Sequence, residues 1–486
     1  MASQRHRVIV VGGGVAGIAA AVDLAQAGAD VTLLEQRPRL GGRASSMDDP
    51  KTGRLIDNCQ HVLTRACTAL MDLYDRLGVS ESIAWTDKLW FADPDTPTHW
   101  HTIQGDDLPA PMHLVRPMLR FGLLTPRERF DVSRAMLNVL QAGSTRSARA
   151  AMNDRSFADW LNEQGQSVAL IEKFWSPIVV SACNETCDRV ALGYAMQVFQ
   201  EGMLATHDAY HVGLATCPLA ELYGPAETLI QQHGGQVRCG VTVSAVRFAN
   251  GRAAGMTLNT NEELNADAVV LALPSERLGD LLPAGIADTD ERFARLDELE
   301  HSPIVGIHLY VRHNRDPAEH RVLPHPHVVL PGRPIHWFFD QGVIELGEAE
   351  AGTLVDGPGP CRHIHAVISA ARDAVAMTND ELAQLAFDEL RRVVGPTGAA
   401  LSRVHQRVIK ERHATFSVTP GVDALRPDTT GNTPGLLLAG DWTDTGWPAT
   451  MEGAARSGFD ASAAALGQPI PDEPRLGSRL YRLVAG

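Results

Sequence analysis

Hydrophobic and polar positions change period several times along the chain. Residues 8–11 form an unbroken β-branched run, as a strand buried on both faces requires. Glycines follow at once, residues 18–27 read as a helix of small side chains closed by Gly28, and residues 31–34 read as a second buried strand. The same strand type returns at 266–274, where it ends on a proline, and again at 436–439. Residues 236–246, with Val241 and Val243 alternating against polar neighbours, read as one strand. Asn250-Gly251 then gives a turn, and residues 256–258 a partner strand. Residues 90–223 are largely helical in pattern, residues 304–311 alternate like a strand, and residues 380–394 read as a helix. The stretch 349–360, rich in Gly and Pro, reads as an exposed loop. The pattern is that of an α/β chain.

At 486 residues the chain exceeds a single core and fits two or three domains. Its net charge of −15 excludes a nucleic-acid partner, because no basic face outweighs it. The seven cysteines (59, 67, 183, 187, 217, 239 and 361) are an odd, scattered set. They suit a reducing cytoplasm better than a disulfide framework. Cys183 and Cys187 are spaced to share a helix face, but no His or Cys stands at zinc-finger spacing, so no metal is expected. Arg5, Arg7 and the apolar run to Ala21 mimic a signal peptide; the glycine triplet and the strand after it argue for a ligand-binding turn instead. No stretch approaches the roughly 20 uninterrupted apolar residues of a membrane span.

The first turn carries recognisable chemistry. In Gly12-x-Gly14-x-x-Gly17, the first glycine allows the tight turn, the second lets backbone approach a pyrophosphate, and the third lets helix and strand pack closely. The helix N-terminus then offers free N–H groups and a positive dipole end to the phosphates. Glu35, at the end of the second strand, is placed to accept hydrogen bonds from an adenosine ribose. This fingerprint alone leaves NAD and FAD open.

Arg39-Leu40-Gly41-Gly42-Arg43 resembles the second motif of glutathione-reductase-like flavoproteins, in their amine oxidase and phytoene desaturase branch. Two glycines let this loop pass close to the pyrophosphate while Arg43 neutralises it. The resemblance implies non-covalent FAD and a glutathione-reductase-like Rossmann domain interleaved with an α+β substrate domain. The FAD domain would comprise residues 1–89, 224–299 and 406–466, the substrate domain residues 90–223 and 300–405, and a tail residues 467–486. The resemblance also implies cofactor contacts from Ala16, Gln36, Arg37, Gln60, His61 and the backbone of Val243.

The closing block begins with Gly440-Asp441 after the last strand. Asp441 would hydrogen-bond the ribityl or pyrophosphate region. A helix beginning at Thr450-Met451-Glu452, with Ala454 in its first turn, would aim its positive end at the flavin's pyrimidine edge. A Thr-capped helix without a ligand is the plain alternative. Residues 438–458 resemble the closing motif of the hydroxysqualene dehydroxylases, and residues 56–62 their Asp-Asn-Gly-Gln-His block, with Cys59 in place of the glycine. That family would replace an allylic hydroxyl of a C30 isoprenoid with hydride from reduced flavin, giving squalene for hopanoid synthesis. His61 is the first candidate for the acid that protonates the departing hydroxyl, and Asp444 the second. Trp442 and Trp447 would wall the flavin or line the tunnel.

Three alternatives remain open: a carotenoid-type desaturase running hydride the opposite way, an amine oxidase, and a flavin-bound lipid carrier without activity. The expected partner is an isoprenoid lipid; the electron donor and the oligomeric state are not legible. The apolar segment 111–124, with Arg116 and Arg120 four apart, reads either as the mouth of a lipid tunnel resting on the inner membrane surface or as a helix covering the core. The tail reads as a loose surface segment, with membrane contact as the other reading. The expected location is the bacterial cytoplasm or the cytoplasmic face of its membrane.

Overall fold

The computed structural model describes residues 5–313, 322–342, 344, 361–471 and 477–485. The Gly/Pro-rich stretch expected at 349–360 lies outside them. The β-branched run beginning at Val8 is the middle of a five-stranded parallel sheet. Its order is Gln236–Cys239, Asp30–Glu35, Arg7–Val11, Ala268–Leu271 and Leu436–Leu438. Segments more than 400 residues apart in sequence thus share one sheet, and each of the three central strands is buried enough to need no alternation. Helix Val15–Gln26 packs on this sheet beside helix Met451–Ala465. Gly17 makes the approach possible: a Cβ there would stand 1.8 Å from the Gly12 carbonyl oxygen.

The strand expected over 236–246 is two strands in different sheets. Gly240, at φ +74, turns the chain after Gln236–Cys239 has joined the parallel sheet. Val243–Ala249 then starts an antiparallel sheet with Arg252–Leu258 and Glu263–Asn265. Hydrophobic alternation alone does not register this change of sheet.

A seven-stranded sheet forms the second domain, in the order Leu401–Phe416, His301–His313, Cys361–Ile368, Trp337–Asp340, His327–Val329, Lys88–Ala92 and Trp100–Gln104. Two boundaries expected from sequence therefore move. The cut at 89/90 falls inside strand Lys88–Ala92, and that at 405/406 falls inside Leu401–Phe416, which pairs along His301–His313. Between Met112 and Leu204 the chain is helical, built around Phe157, Phe174, Trp175 and Phe199 packed ring against ring. Two of its turns, Ile171–Trp175 and Gln200–Leu204, are π-helical. Cys183 and Cys187 do not share a helix face, because Ser176–Cys183 ends at Asn184 in the left-handed region. The tail is not loose where it is described: Arg479–Val484 is a helix whose Tyr481 is buried in the helical core.

Candidate functional site

Two glycine loops meet edge to edge at the carboxyl end of the parallel sheet. The Gly41 amide donates to the Gly13 carbonyl at 2.7 Å, and Gly14 and Gly41 form an isolated parallel bridge. A Cβ on Gly42 would come within 2.8 Å of the Gly14 Cα, so the second loop is held against the first only because both lack side chains. Glu35 braces this junction. It accepts from the Gly13 amide at 2.6 Å and from the Arg37 amide at 2.7 Å, while Arg37 Nη1 donates to the Gly42 carbonyl at 2.8 Å.

From these loops a cavity of about 1040 Å³ runs into the second domain. Of the residues singled out by sequence, Gly12, Gly14, Ala16, Glu35, Gln36, Arg37, Gly41, Gly42, Arg43, Gln60, His61, Val243, Gly440, Asp441, Thr450, Met451, Glu452 and Ala454 all line it. Gly17 stands behind the lining and serves packing. Arg43 pairs with Asp441 and donates to the Ala414 carbonyl at 2.8 Å, clamping the first grip to the closing one. Burial works against its charge, but Asp441 more than compensates and raises the guanidinium's affinity for its proton. Thr450 caps helix Met451–Ala465 by accepting from the Gly453 amide at 3.1 Å. The Glu452 carboxylate is committed elsewhere: it accepts from the Ala69 and Leu70 amides at 3.0 and 2.8 Å and pairs with Arg456 at 2.6 Å. Only the rest of Glu452 remains for the cavity.

The two proton-donor candidates separate. His61 lines the cavity, with Nδ1 2.9 Å from the Cys59 carbonyl, so Nδ1 carries the proton and donates. Burial lowers its pKa, the Cys59 carbonyl resists this, and Arg43 lowers it further; the imidazole is neutral at neutral pH. Asp444 is not among the lining residues. Its carboxylate pairs with Arg146 at 2.6 Å, which removes it from the set of candidate acids. Cys59 is buried in the lining, and burial pushes its thiol up to about 12, so it is no nucleophile near neutral pH.

Sequence reading missed the residue that organises the closing block. Buried Arg426 donates to the carbonyls of Asp441 at 3.2 Å, Trp442 at 3.4 Å and Thr443, and to the Tyr194 hydroxyl at 2.6 Å. No local motif marks it, since its partners are turns and helices brought together by the fold. Trp442 and Trp447 do line the cavity, and Trp442 Nε1 donates to the Leu273 carbonyl at 2.9 Å. At the rim, Glu276 meets His301 at 3.6 Å and His413 at 3.4 Å, a trio with metal-capable atoms within 4.8 Å of one another. Burial opposes ionisation of Glu276, but the two histidines hold its carboxyl down at about 2.

The far lobe is walled by Leu89, Phe91, Ile178, Val198, Trp337 and Phe339. Glycine turn, acid, second glycine loop and closing helix thus fit a dinucleotide at one end, and the apolar walls fit a hydrophobic substrate at the other. The family model for flavin-containing amine oxidoreductases matches residues 15–466. The chain belongs to that family. It is an FAD-dependent oxidoreductase.

Among curated relatives, hydroxysqualene dehydroxylase of Rhodopseudomonas palustris is 27% identical over 466 residues, covering 94% of this chain and 98% of that protein. The 15-cis-phytoene desaturase of Synechococcus elongatus is 24% identical over 476 residues, covering 93% and 94%. Among solved structures, wild-type putrescine oxidase superposes with a TM-score of 0.66 at 15% identity, covering 96% of this chain and all of that one. Cyclohexylamine oxidase from Brevibacterium oxydans superposes with a TM-score of 0.65 at 18% identity, covering 96% and 99%. These two share the fold of the present chain.

Proposed function

We propose that this flavoenzyme removes an allylic hydroxyl from a C30 isoprenoid alcohol and leaves a C–H bond in its place, converting hydroxysqualene to squalene. The observation that carries the reading is the cavity itself, in which the cofactor grips open directly onto a long apolar lobe. The relationship to hydroxysqualene dehydroxylase over nearly the full length of both chains supports it. Reduced FAD, when bound, supplies the hydride. In the net change a C–O bond breaks, a C–H bond forms, and the alcohol takes up two electrons and two protons to give hydrocarbon and water. The protein excludes water with the apolar lobe, holds the chain extended, and presents His61 as the proton donor to the leaving oxygen.

A second reading is a carotenoid-type desaturase, in which the same cavity passes hydride from substrate to oxidised flavin. The phytoene desaturases, similar over 93% of this chain, favour keeping it. The deciding experiment is anaerobic. The photoreduced holoprotein is mixed with hydroxysqualene in detergent, and flavin reoxidation is followed alongside mass spectrometry of the extracted lipid. Squalene formed in step with reoxidation is expected; flavin that stays reduced over unchanged alcohol would sink the dehydroxylase reading and call for oxidised enzyme with phytoene.

We further infer that the protein takes its lipid from an anionic membrane surface. Val115 and Leu119 on helix Val115–Arg120, and Phe130 and Leu137 on helix Pro126–Gln141, are all exposed, Phe130 by 67%. Between 111 and 150 six arginines besides the buried Arg149 stand against only Glu128 and Asp131, within a chain of net charge −15. Apolar side chains set among arginines suit an interface of acyl chains and anionic headgroups. Among the described residues, no helix is long and apolar enough to cross a membrane.

A further inference from the structure

Glu276, His301 and His413 meet where the chain passes between its two domains. Glu276 lies on the turn Ser275–Arg277, just beyond parallel strand Ala268–Leu271. His301 opens strand His301–His313, and His413 stands near the end of its neighbour Leu401–Phe416, 137 residues from Glu276. No local spacing announces this trio, and the expectation that no metal binds was drawn from local spacing alone.

An irregularity in the sheet brings the two histidines together. His301 pairs with Phe416 and Ser302 with Thr415, but Ile304 pairs with Glu411, so Leu401–Phe416 carries extra residues opposite Pro303. Successive strand residues face opposite sides of a sheet, and an unbroken ladder would put His413 on the face away from His301. The bulge turns it back. The two rings stack 4.6 Å apart at 19°, and the Glu276 carboxylate reaches a nitrogen of each.

The distances separate two readings of the trio. In a plain hydrogen-bonded group each N–H would stand about 2.7–3.2 Å from its acceptor. The separations are longer: 3.6 Å from His301 Nε2 to Glu276 Oε2, and 3.4 Å from His413 Nδ1 to Glu276 Oε1. Two ligands on one tetrahedral ion, with bonds of about 2.0–2.1 Å, stand about 3.4 Å apart. One ligand atom from each residue lies within 4.8 Å of the others, so movements of under about an ångström close them on an ion. His413, its side chain 58% exposed, has the room to turn. Two imidazoles and a carboxylate suit zinc and its neighbours, and discriminate against magnesium and calcium, which prefer oxygen alone.

We infer that Glu276, His301 and His413 bind a divalent ion of the zinc type, which clasps the FAD domain to the second domain. The site is independent of the direction in which hydride moves. It bears directly on the cofactor. Ala414, next to His413, carries the carbonyl to which Arg43 donates, and Arg43 is the clamp between the two grips. An ion on His413 therefore fixes the strand end against which Arg43 is held, and slows the loss of FAD.

The test uses FAD-loaded holoprotein without an affinity tag, stripped with EDTA and titrated calorimetrically with zinc and, separately, with magnesium. Flavin release on dilution is followed by its fluorescence, with and without zinc. Wild type is expected to take one zinc per chain, to ignore magnesium, and to release FAD severalfold more slowly when zinc is bound. His413→Ala is expected to weaken zinc binding by well over the roughly tenfold that even a residue merely orienting a ligand is worth, and to release FAD at one rate with or without zinc. Glu276→Gln, which keeps the size of the side chain, is expected to weaken zinc binding in the same way. His233→Ala, at an exposed histidine elsewhere, is the control and is expected to bind zinc as wild type does. No zinc uptake by wild type, or uptake undiminished in both His413→Ala and Glu276→Gln, overturns the site. Zinc bound at the trio with flavin release unchanged overturns the clasp.

Discussion

His61 lines the cavity, as a proton donor must, but has the wrong resting charge for one. Its Nδ1–H is spent on the Cys59 carbonyl, and burial, aided by Arg43, holds its pKa below the ordinary 6.5. The sign of the consequence follows. Above the depressed pKa the imidazolium fraction grows about tenfold for each unit the pH falls, so between pH 8.5 and 6.5 an acid-dependent step accelerates throughout. Reoxidation of photoreduced enzyme by hydroxysqualene is therefore expected to quicken towards pH 6.5 in wild type. In His61→Ala it is expected to be flat with pH and about 10²-fold slower at the acid end. A wild-type rate that does not change over this range would remove His61 from the proton step. Asp444 illustrates the limit of reading roles from a motif. It belongs to the closing block that flanks the cavity, yet its carboxylate faces Arg146, a partner 298 residues away that no local pattern announces.

At the scale of elements, strands His301–His313 and Cys361–Ile368 bury a group of histidines between the two domains. His308 stacks on His365 with ring centres 4.0 Å apart; His308 Nε2 donates to the Asp57 carbonyl at 2.9 Å, which leaves its Nδ1 to accept from His363 Nε2 at 2.8 Å. Burial lowers the pKa of His308 to about 4, and lowers those of His363 and His365 as well. Because the unfolded chain binds these protons near pH 6.5 and the folded chain refuses them, stability is intact above 6.5 and is lost as the pH falls towards 4. At pH 5 the cost from His308 alone is on the order of 2 kcal/mol. Urea midpoints are expected to drop between pH 7.5 and pH 5, and less so in His308→Gln; an unchanged midpoint would mean that the row is already open to solvent. None of this was legible in the sequence, where the strand appears only as alternation over 304–311. The strand–glycine–helix–strand unit was legible because every part of it is local: period, turn and acid follow one another between Val8 and Glu35. The split at Gly240, the end of the helix at Cys183 and the anchoring of Tyr481 were not, because each is decided by what packs against it from elsewhere.

The whole molecule draws one cavity from segments at both ends of the chain and from the helical region between, and that region also bears the exposed apolar and arginine-rich surface. A chain of net charge −15 should be repelled by an anionic bilayer unless this surface is presented to it. Each arginine close to such a surface contributes about 1 kcal/mol, and the contribution fades with salt, whereas burial of Leu119 and Phe130 among acyl chains does not. Both contributions should therefore be separable in vesicle co-sedimentation. Binding is expected to vesicles containing phosphatidylglycerol, to weaken severalfold on raising salt from 0.05 to 0.5 M, and to be poor on phosphatidylcholine alone. Leu119→Asp with Phe130→Asp is expected to abolish binding at every salt concentration while flavin content and turnover of detergent-solubilised substrate remain, since neither side chain lines the cavity. Equal binding to neutral and anionic vesicles would refute the electrostatic part. Unaltered binding of the double variant would move the membrane contact to another face, for which the exposed Leu483 on the terminal helix is the next position to change.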